Sequence, residues 1–124
     1  MYEKLFELAK EARENAYAPY SNFKVGAALL CKDGQIYLGA NIENAAYGAT
    51  ICAERVAASR AVFEGQRDFE AIAIVSENKE TWPCGICRQF LYEFSEEMIV
   101  ITGEDKDSIV SEKLLSLLPK GFKL

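Results

Sequence analysis

The chain has no histidine among its 124 residues, which removes the side chain most used as a metal ligand and as a neutral-pH base. Any metal site must then be built from cysteine and carboxylate, and any proton shuttle from an acid. No apolar run approaches the roughly 20 residues that cross a bilayer. The opening Met1-Tyr2-Glu3-Lys4 leads into a charged segment and not into a signal-peptide core, so a cytoplasmic protein without a membrane partner is expected. A basic excess is also lacking: 14 Lys and Arg stand against 19 Asp and Glu, a net charge of −5. A protein gripping a polynucleotide needs a basic stripe to displace counterions from the phosphates; only the short tail Lys120 to Lys123 comes near one. The expectation is a small neutral substrate and no nucleic acid. Repeats, linkers and low-complexity tracts are missing as well, which suits one domain over residues 1–124.

Cysteine is present in a number that asks for explanation. There are four, and in a reducing compartment they do not form a disulfide framework. Two lie in Thr81-Trp82-Pro83-Cys84-Gly85-Ile86-Cys87-Arg88-Gln89. Pro83 suits the first turn of a helix, so Cys84 and Cys87 are expected on one face near its start, where free N–H groups and the positive dipole end favour thiolate. A third opens the segment Cys52-Ala53-Glu54-Arg55, ahead of an apolar run that reads as another helix. Three cysteine ligands leave one tetrahedral position of a zinc ion open, as catalytic zinc requires. Cys31, in an apolar run without a C-x-x-C partner, reads as a small buried hydrophobe. Glu54 is then free to act as a base.

Along the rest of the chain, Leu5, Leu8, Ala9, Ala12 and Ala16 fall at helical spacing and predict an amphipathic helix ending before Pro19. Lys24 to Cys31 and Gln35 to Ala40 flank Asp33-Gly34 and predict an antiparallel hairpin. A loop, Asn41 to Ile51, delivers the chain to Cys52; the helix after it should end at Gly65. Phe69 to Val75 reads as a central strand covered on both faces, Met98 to Thr102 as a further strand, Ser108 to Val110 as a short edge strand, and Ser111 as the cap of a last helix bearing Leu114, Leu115, Leu117 and Leu118. Alternating strands and helices imply parallel crossovers, hence an α/β fold: a three-layer αβα sandwich around a mixed sheet of about five strands.

The pair of signatures, Cys-Ala-Glu-Arg at 52–55 and Pro-Cys-Gly-x-Cys-Arg-Gln at 83–89, resembles the zinc-dependent cytidine deaminases. Ala18 to Ala28, Asn41 to Tyr47 and Leu117 to Phe122 resemble the same family, so the likeness covers nearly the whole chain. It implies hydrolytic deamination of cytidine and 2′-deoxycytidine to the uracil nucleosides in pyrimidine salvage. Water activated on zinc attacks C4 and Glu54 shuttles the protons. It also implies Cys52, Cys84 and Cys87 as ligands, Phe23 against the substrate, Asn41 and Glu43 on the ribose hydroxyls, backbone groups near Ala53 and Cys84 on the base, and Gln89 in support. Tyr47 and Phe122 match positions presented to a neighbouring subunit, so the short-chain, three-cysteine type implies a homotetramer with shared sites.

Charge adds its own argument: three thiolates and one Zn2+ sum to −1, which weakens acidification of water unless helix N-termini and a donor such as Arg55 offset it. Arg88 reads equally as a donor behind the sulfurs or as a surface ion-pair partner. Two other readings compete for the same residues. A thioredoxin-like Trp-Cys-x-x-Cys redox centre leaves Cys52 and Glu54 unexplained, and a noncatalytic zinc module requires a closed fourth position. A blasticidin-type deaminase shares the zinc motif, but Asn41 to Tyr47 looks more like a nucleoside deaminase.

Overall fold

The computed structural model describes residues 1–124. Helix α1, Tyr2–Arg13, is followed by strands β1, Gly26–Cys31, and β2, Ile36–Ala40; a 3-10 turn, Tyr47–Ala49, precedes α2, Ala53–Phe63. Then come β3, Phe69–Val75, α3, Gly85–Tyr92, β4, Ile99–Gly103, β5, Ile109–Lys113, and the short α4, Leu114–Leu117. The sheet order is β2-β1-β3-β4-β5. Only β3 and β4 run parallel, joined through α3; every other neighbouring pair is antiparallel. The expected αβα sandwich with five strands is what forms.

Strand alternation explains the layers. Side chains of a strand point to opposite faces in turn, so Ala28, Leu30, Ala71, Ala73 and Val75 meet Leu5, Phe6 and Ala9 of α1. Ala27, Leu29, Cys31, Phe69, Ile72 and Ile74 meet Ala57, Ala58 and Ala61 of α2 and Leu91 of α3 on the other side. Small residues let α2 approach closely, and Gly39 marks the limit: a Cβ there would lie 2.4 Å from the backbone nitrogen of Ala57. Gly34 and Gly65, at φ +94° and +95°, turn the chain after β1 and after α2. No helix is long and apolar enough to cross a membrane.

Several expected boundaries move. Helix α1 stops at Arg13, short of Ala16, because the chain turns to set Tyr17 beside Ile42, with Tyr17 N donating to Asn41 O and Glu43 N to Tyr17 O. Pro83 lies before α3 and outside its first turn; Cys84 is the N-cap. Ser111 caps nothing: it pairs with Ile101 inside β5, which is longer than expected and antiparallel to β4, and Lys113 precedes the four-residue α4.

Candidate active site

Two of the motif cysteines occupy equivalent positions. Cys52 is the N-cap of α2 (φ −70°, ψ 153°) and Cys84 the N-cap of α3 (φ −68°, ψ 170°). Neither cap makes the side-chain hydrogen bond that Ser or Asp would make there. Both helix N-termini, with their unpaired first-turn N–H groups and positive dipole ends, therefore meet at the sulfurs and favour negative charge at one place. Cys87, one turn into α3, is buried and completes the group: the three Sγ atoms lie within 4.8 Å of one another, Cys52 and Cys84 at 3.9 Å. An ion with sulfurs at about 2.3 Å in tetrahedral geometry needs them roughly 3.8 Å apart, so the cluster fits zinc with little adjustment. Cys31 stands apart, buried among apolar neighbours.

The charges around the sulfurs point the same way. Arg55 Nη2 donates to Cys52 Sγ at 3.7 Å, while its Nε is buried without any acceptor. A guanidinium in that position is costly unless the sulfurs are anionic; three thiolates around one divalent cation leave the single negative charge it balances. The Cys52 thiol is drawn down to about 5, chiefly by the hydrogen bond from Cys87 and then by Arg55 and Cys84. Cys87 moves up, because it donates that bond and because it is buried. Glu54, in the first turn of α2 and 4% exposed, is pushed up to about 7, mainly by burial and further by the Cys52 charge. A carboxyl poised there can both take and return a proton near neutrality.

An open hollow of about 510 Å3 is lined by Tyr20, Ser21, Phe23, Asn41, Glu43, Asn44, Ala45, Tyr47 and Thr50, none of them a cysteine of the cluster. It holds Phe23, Asn41, Glu43 and Tyr47 of the residues expected to meet substrate. Their polar atoms are already engaged. Asn41 Oδ1 accepts from Val25 N at 3.0 Å and its Nδ2 donates to Phe23 O at 2.9 Å. Glu43 accepts from Tyr20 N at 2.9 Å, Ser21 N at 3.1 Å and the Ser21 hydroxyl. These bonds, Ser21 first among them, keep the Glu43 carboxyl below the usual carboxylate range. The two side chains thus shape the 20–25 loop that presents Phe23, a role the sequence pattern did not announce. Lys79 lies over the Phe23 ring, 4.8 Å from its centroid.

The remaining expected residues are spread out. Ala53 is fully buried at the start of α2, and Tyr47 is 90% exposed. Phe122, 66% exposed, lines a separate hollow with Gln89, Phe90, Glu93, Phe94, Lys123 and Leu124. Gln89 Nε2 donates to Phe122 O at 2.9 Å. Arg88 contacts neither sulfur nor carboxylate but donates to the carbonyls of Pro83 and Leu117. Sequence reasoning also missed a polar chain behind the metal loop. Thr81 N donates to Thr102 Oγ1 and Thr102 Oγ1 to Ile74 O; Ser76 and Thr81 share a hydroxyl bond, and Arg13 donates to Ser76 O. A buried threonine in an otherwise apolar strand, Ile99-Val100-Ile101-Thr102, was its one visible sign.

Residues 1–102 match the family model described as the cytidine and deoxycytidylate deaminase zinc-binding region. The chain belongs to this deaminase family. A cytidine deaminase of Sporosarcina psychrophila is 49% identical over 122 residues, 97% of this chain and 90% of that protein. The crystal structure of a cytidine deaminase from Burkholderia pseudomallei superposes with a TM-score of 0.92 at 44% identity, covering 98% of this chain and 99% of that one. A blasticidin-S deaminase of Bacillus cereus is more distant, 31% identical over 124 residues, 91% of this chain and 88% of that protein. Membership makes the chain a zinc-dependent hydrolytic deaminase, and Cys52, Cys84 and Cys87 are the group positioned to hold the ion.

Proposed function

We propose that residues 1–124 form one catalytic domain that deaminates free cytidine and 2′-deoxycytidine to uridine and 2′-deoxyuridine. The observation that carries this is the buried Glu54 carboxyl two residues from Cys52, which converges with Cys84 and Cys87 in a group of three sulfurs. Zinc held by Cys52, Cys84 and Cys87 supplies Lewis acidity, which turns water into a nucleophile at neutral pH. Glu54 accepts the proton that water gives up as its oxygen bonds to C4. It delivers that proton to N3, then takes the remaining proton from the hydroxyl now on C4 and passes it to the amino group; the C4–N bond breaks as C4=O forms, and ammonia departs. Arg55 and the two helix N-termini hold the excess charge of the sulfurs in check.

Phe23 lies against the pyrimidine in this reading, and Asn41 and Glu43 meet the ribose hydroxyls with the lone pairs and protons their loop contacts leave over. Backbone groups at Ala53 and Cys84 take the base's polar edge. Tyr47 and Phe122 serve a neighbouring subunit of a homotetramer; their exposure, and the location of Phe122 away from its own chain's substrate hollow, support this. The enzyme works in pyrimidine salvage in the cytoplasm, where its four free cysteines stay reduced.

The test is direct: protein loaded with one equivalent of zinc is given cytidine, 2′-deoxycytidine, cytosine and cytidine 5′-phosphate, and ammonia is measured. Release from both nucleosides, with cytosine a poor substrate, is expected. No release from either nucleoside refutes the reading.

A further inference from the structure

Arg88 sits half-buried on α3, directly after the ligand Cys87, and makes no ion pair. Its Nε donates to Pro83 O at 2.6 Å and its Nη1 to Leu117 O at 2.7 Å. Neither carbonyl receives a backbone N–H. Pro83 O belongs to the peptide that enters Cys84. Leu117 O is at the C-terminal end of α4, where carbonyls lack helical partners and the dipole is negative. One guanidinium therefore satisfies two orphaned acceptors from segments 34 positions apart in the chain, at 83 and 117.

We propose that Arg88 is a positioning residue that ties the metal loop to the C-terminal segment, fixing the Pro83–Cys84 peptide from behind. The proposal rests on the metal site described above and assigns the work that holds it in shape. Cys84 needs such support. It is the exposed member of the three cysteines, it stands at an N-cap in extended conformation with no side-chain cap bond, and its carbonyl is held only by the N–H of Arg88 itself, at 2.9 Å. Rotation of the preceding peptide would carry the Cys84 backbone, and its sulfur with it, out of place, and the guanidinium bonded to Pro83 O restrains that rotation. The neighbouring Gln89 extends the tie by holding Phe122 O, so the side chains of one dipeptide on α3 anchor both the ligand loop and the chain's last residues. Lysine cannot replace this: an ammonium is a point donor, whereas the planar fork reaches both carbonyls at once.

The experiment measures zinc release to a chromophoric chelator, without substrate, for the wild type, Arg88→Gln, Arg88→Lys and the core variant Ile101→Val. Ile101 packs under α1 on the opposite face of the sheet and controls for general loss of stability. Hydrogen exchange of amides 118–124 is followed in the same samples. Charge-assisted bonds of this kind are strong enough that their loss should speed release by roughly tenfold to a hundredfold. Arg88→Gln should release zinc faster than Ile101→Val and exchange its C-terminal amides faster, with Arg88→Lys between Arg88→Gln and wild type. Release from Arg88→Gln no faster than from Ile101→Val overturns the proposal, as does release accelerated with unchanged exchange at 118–124. Should Arg88→Gln not fold, the same two criteria apply to Arg88→Lys. Zinc retained at wild-type level by Cys84→Ser would sink the metal assignment and this proposal together, which separates that failure from a failure of the tie alone.

Discussion

Replacing Gly39 by alanine should injure the active site through α2. The new Cβ would lie 2.4 Å from Ala57 N, 2.5 Å from Ala53 O and 3.0 Å from Ala57 Cα. All three are backbone atoms of α2, so no side chain can swing aside. Ordinary contact begins at 3.4 Å, and the helix must therefore back away from β2 by roughly 1 Å, an overpacking that typically costs about 1–3 kcal/mol. Cys52 and Glu54 stand at the N-terminus of that helix, while Cys84 and Cys87 belong to α3. The displacement thus pulls one sulfur and the proton carrier away from the other two sulfurs. A shift of this size in a reacting group can lower turnover about 100-fold. Gly26→Ala is the matching control: its Cβ would meet Ala9 O at 2.0 Å and Arg13 N at 2.4 Å, in α1 on the opposite face. It should lose at least as much stability by urea unfolding, yet lose less turnover per bound zinc than Gly39→Ala, because it displaces α1, which carries none of the three cysteines and not Glu54. If Gly39→Ala keeps wild-type kcat while losing stability, or if both variants lose kcat alike, the coupling of α2 placement to chemistry is wrong.

Glu54→Gln fills the same volume but cannot accept a proton, so zinc content should hold while kcat falls at or beyond the upper end of the roughly 100- to 10,000-fold range for a general base; wild-type kcat in this variant removes Glu54 from the mechanism. Cys31, raised to about 11 by burial and then by the Asp33 charge, should leave zinc binding intact when changed to Ser. Because the unfolded thiol ionises first, near its ordinary 9.0, its contribution to stability is full below that pH and lost as pH rises through about 11; Cys31→Ala should flatten this alkaline limb in urea titrations, and an unchanged limb contradicts the assignment. Cytosine inside single-stranded DNA or RNA should resist the enzyme, since the ribose hydroxyls that the proposed reading assigns to Asn41 and Glu43 are the ones a polymer uses for its linkages; uracil formed in an oligonucleotide as fast as from cytidine speaks against it. Phe122→Ala should lose roughly tenfold to a hundredfold if the ring stacks on a neighbour's base, and co-refolding it with Glu54→Gln should give more activity than the mean of the two variants, a gain no self-contained site can show.

The layers of the fold were legible because the pattern behind them is local. Phe69 to Val75 is apolar on both faces and became the central strand with the same limits, and Asp33-Gly34 marked the hairpin between β1 and β2. The chain's last third read less well for a physical reason. Ile109 to Lys113 ends in Ser-Glu-Lys, all three exposed, as an edge strand can be, so its signal resides in the pairing with β4 and not in its own residues. Ser111 suits an N-cap in isolation, but a register that sets it opposite Ile101 decides otherwise. Pro83 fits a first helical turn equally well in isolation, yet the N-cap is Cys84, whose sulfur joins two others across the sheet's end.

The same division runs through the site. Cys52, Glu54, Cys84 and Cys87 could be named because metal chemistry restricts both residue type and spacing, and helix N-termini then bring the sulfurs together without further instruction. What spacing cannot express is which side chains spend their hydrogen bonds on the backbone. Asn41 bridges Phe23 O and Val25 N, Glu43 caps the turn at Tyr20 and Ser21, and Arg88 and Gln89 hold Pro83, Leu117 and Phe122. Each partner is a carbonyl or an amide that every residue carries, so none leaves a trace in composition or motif. It follows that a residue's presence in a signature does not say whether it touches substrate or builds the surface that does. For Asn41 and Glu43 the structure shows the second role, and the proposed ribose contact falls on the same loop. Substitutions there should therefore be judged by whether KM and kcat change together, as a misplaced Phe23 would require, or KM alone, as loss of a ribose contact would.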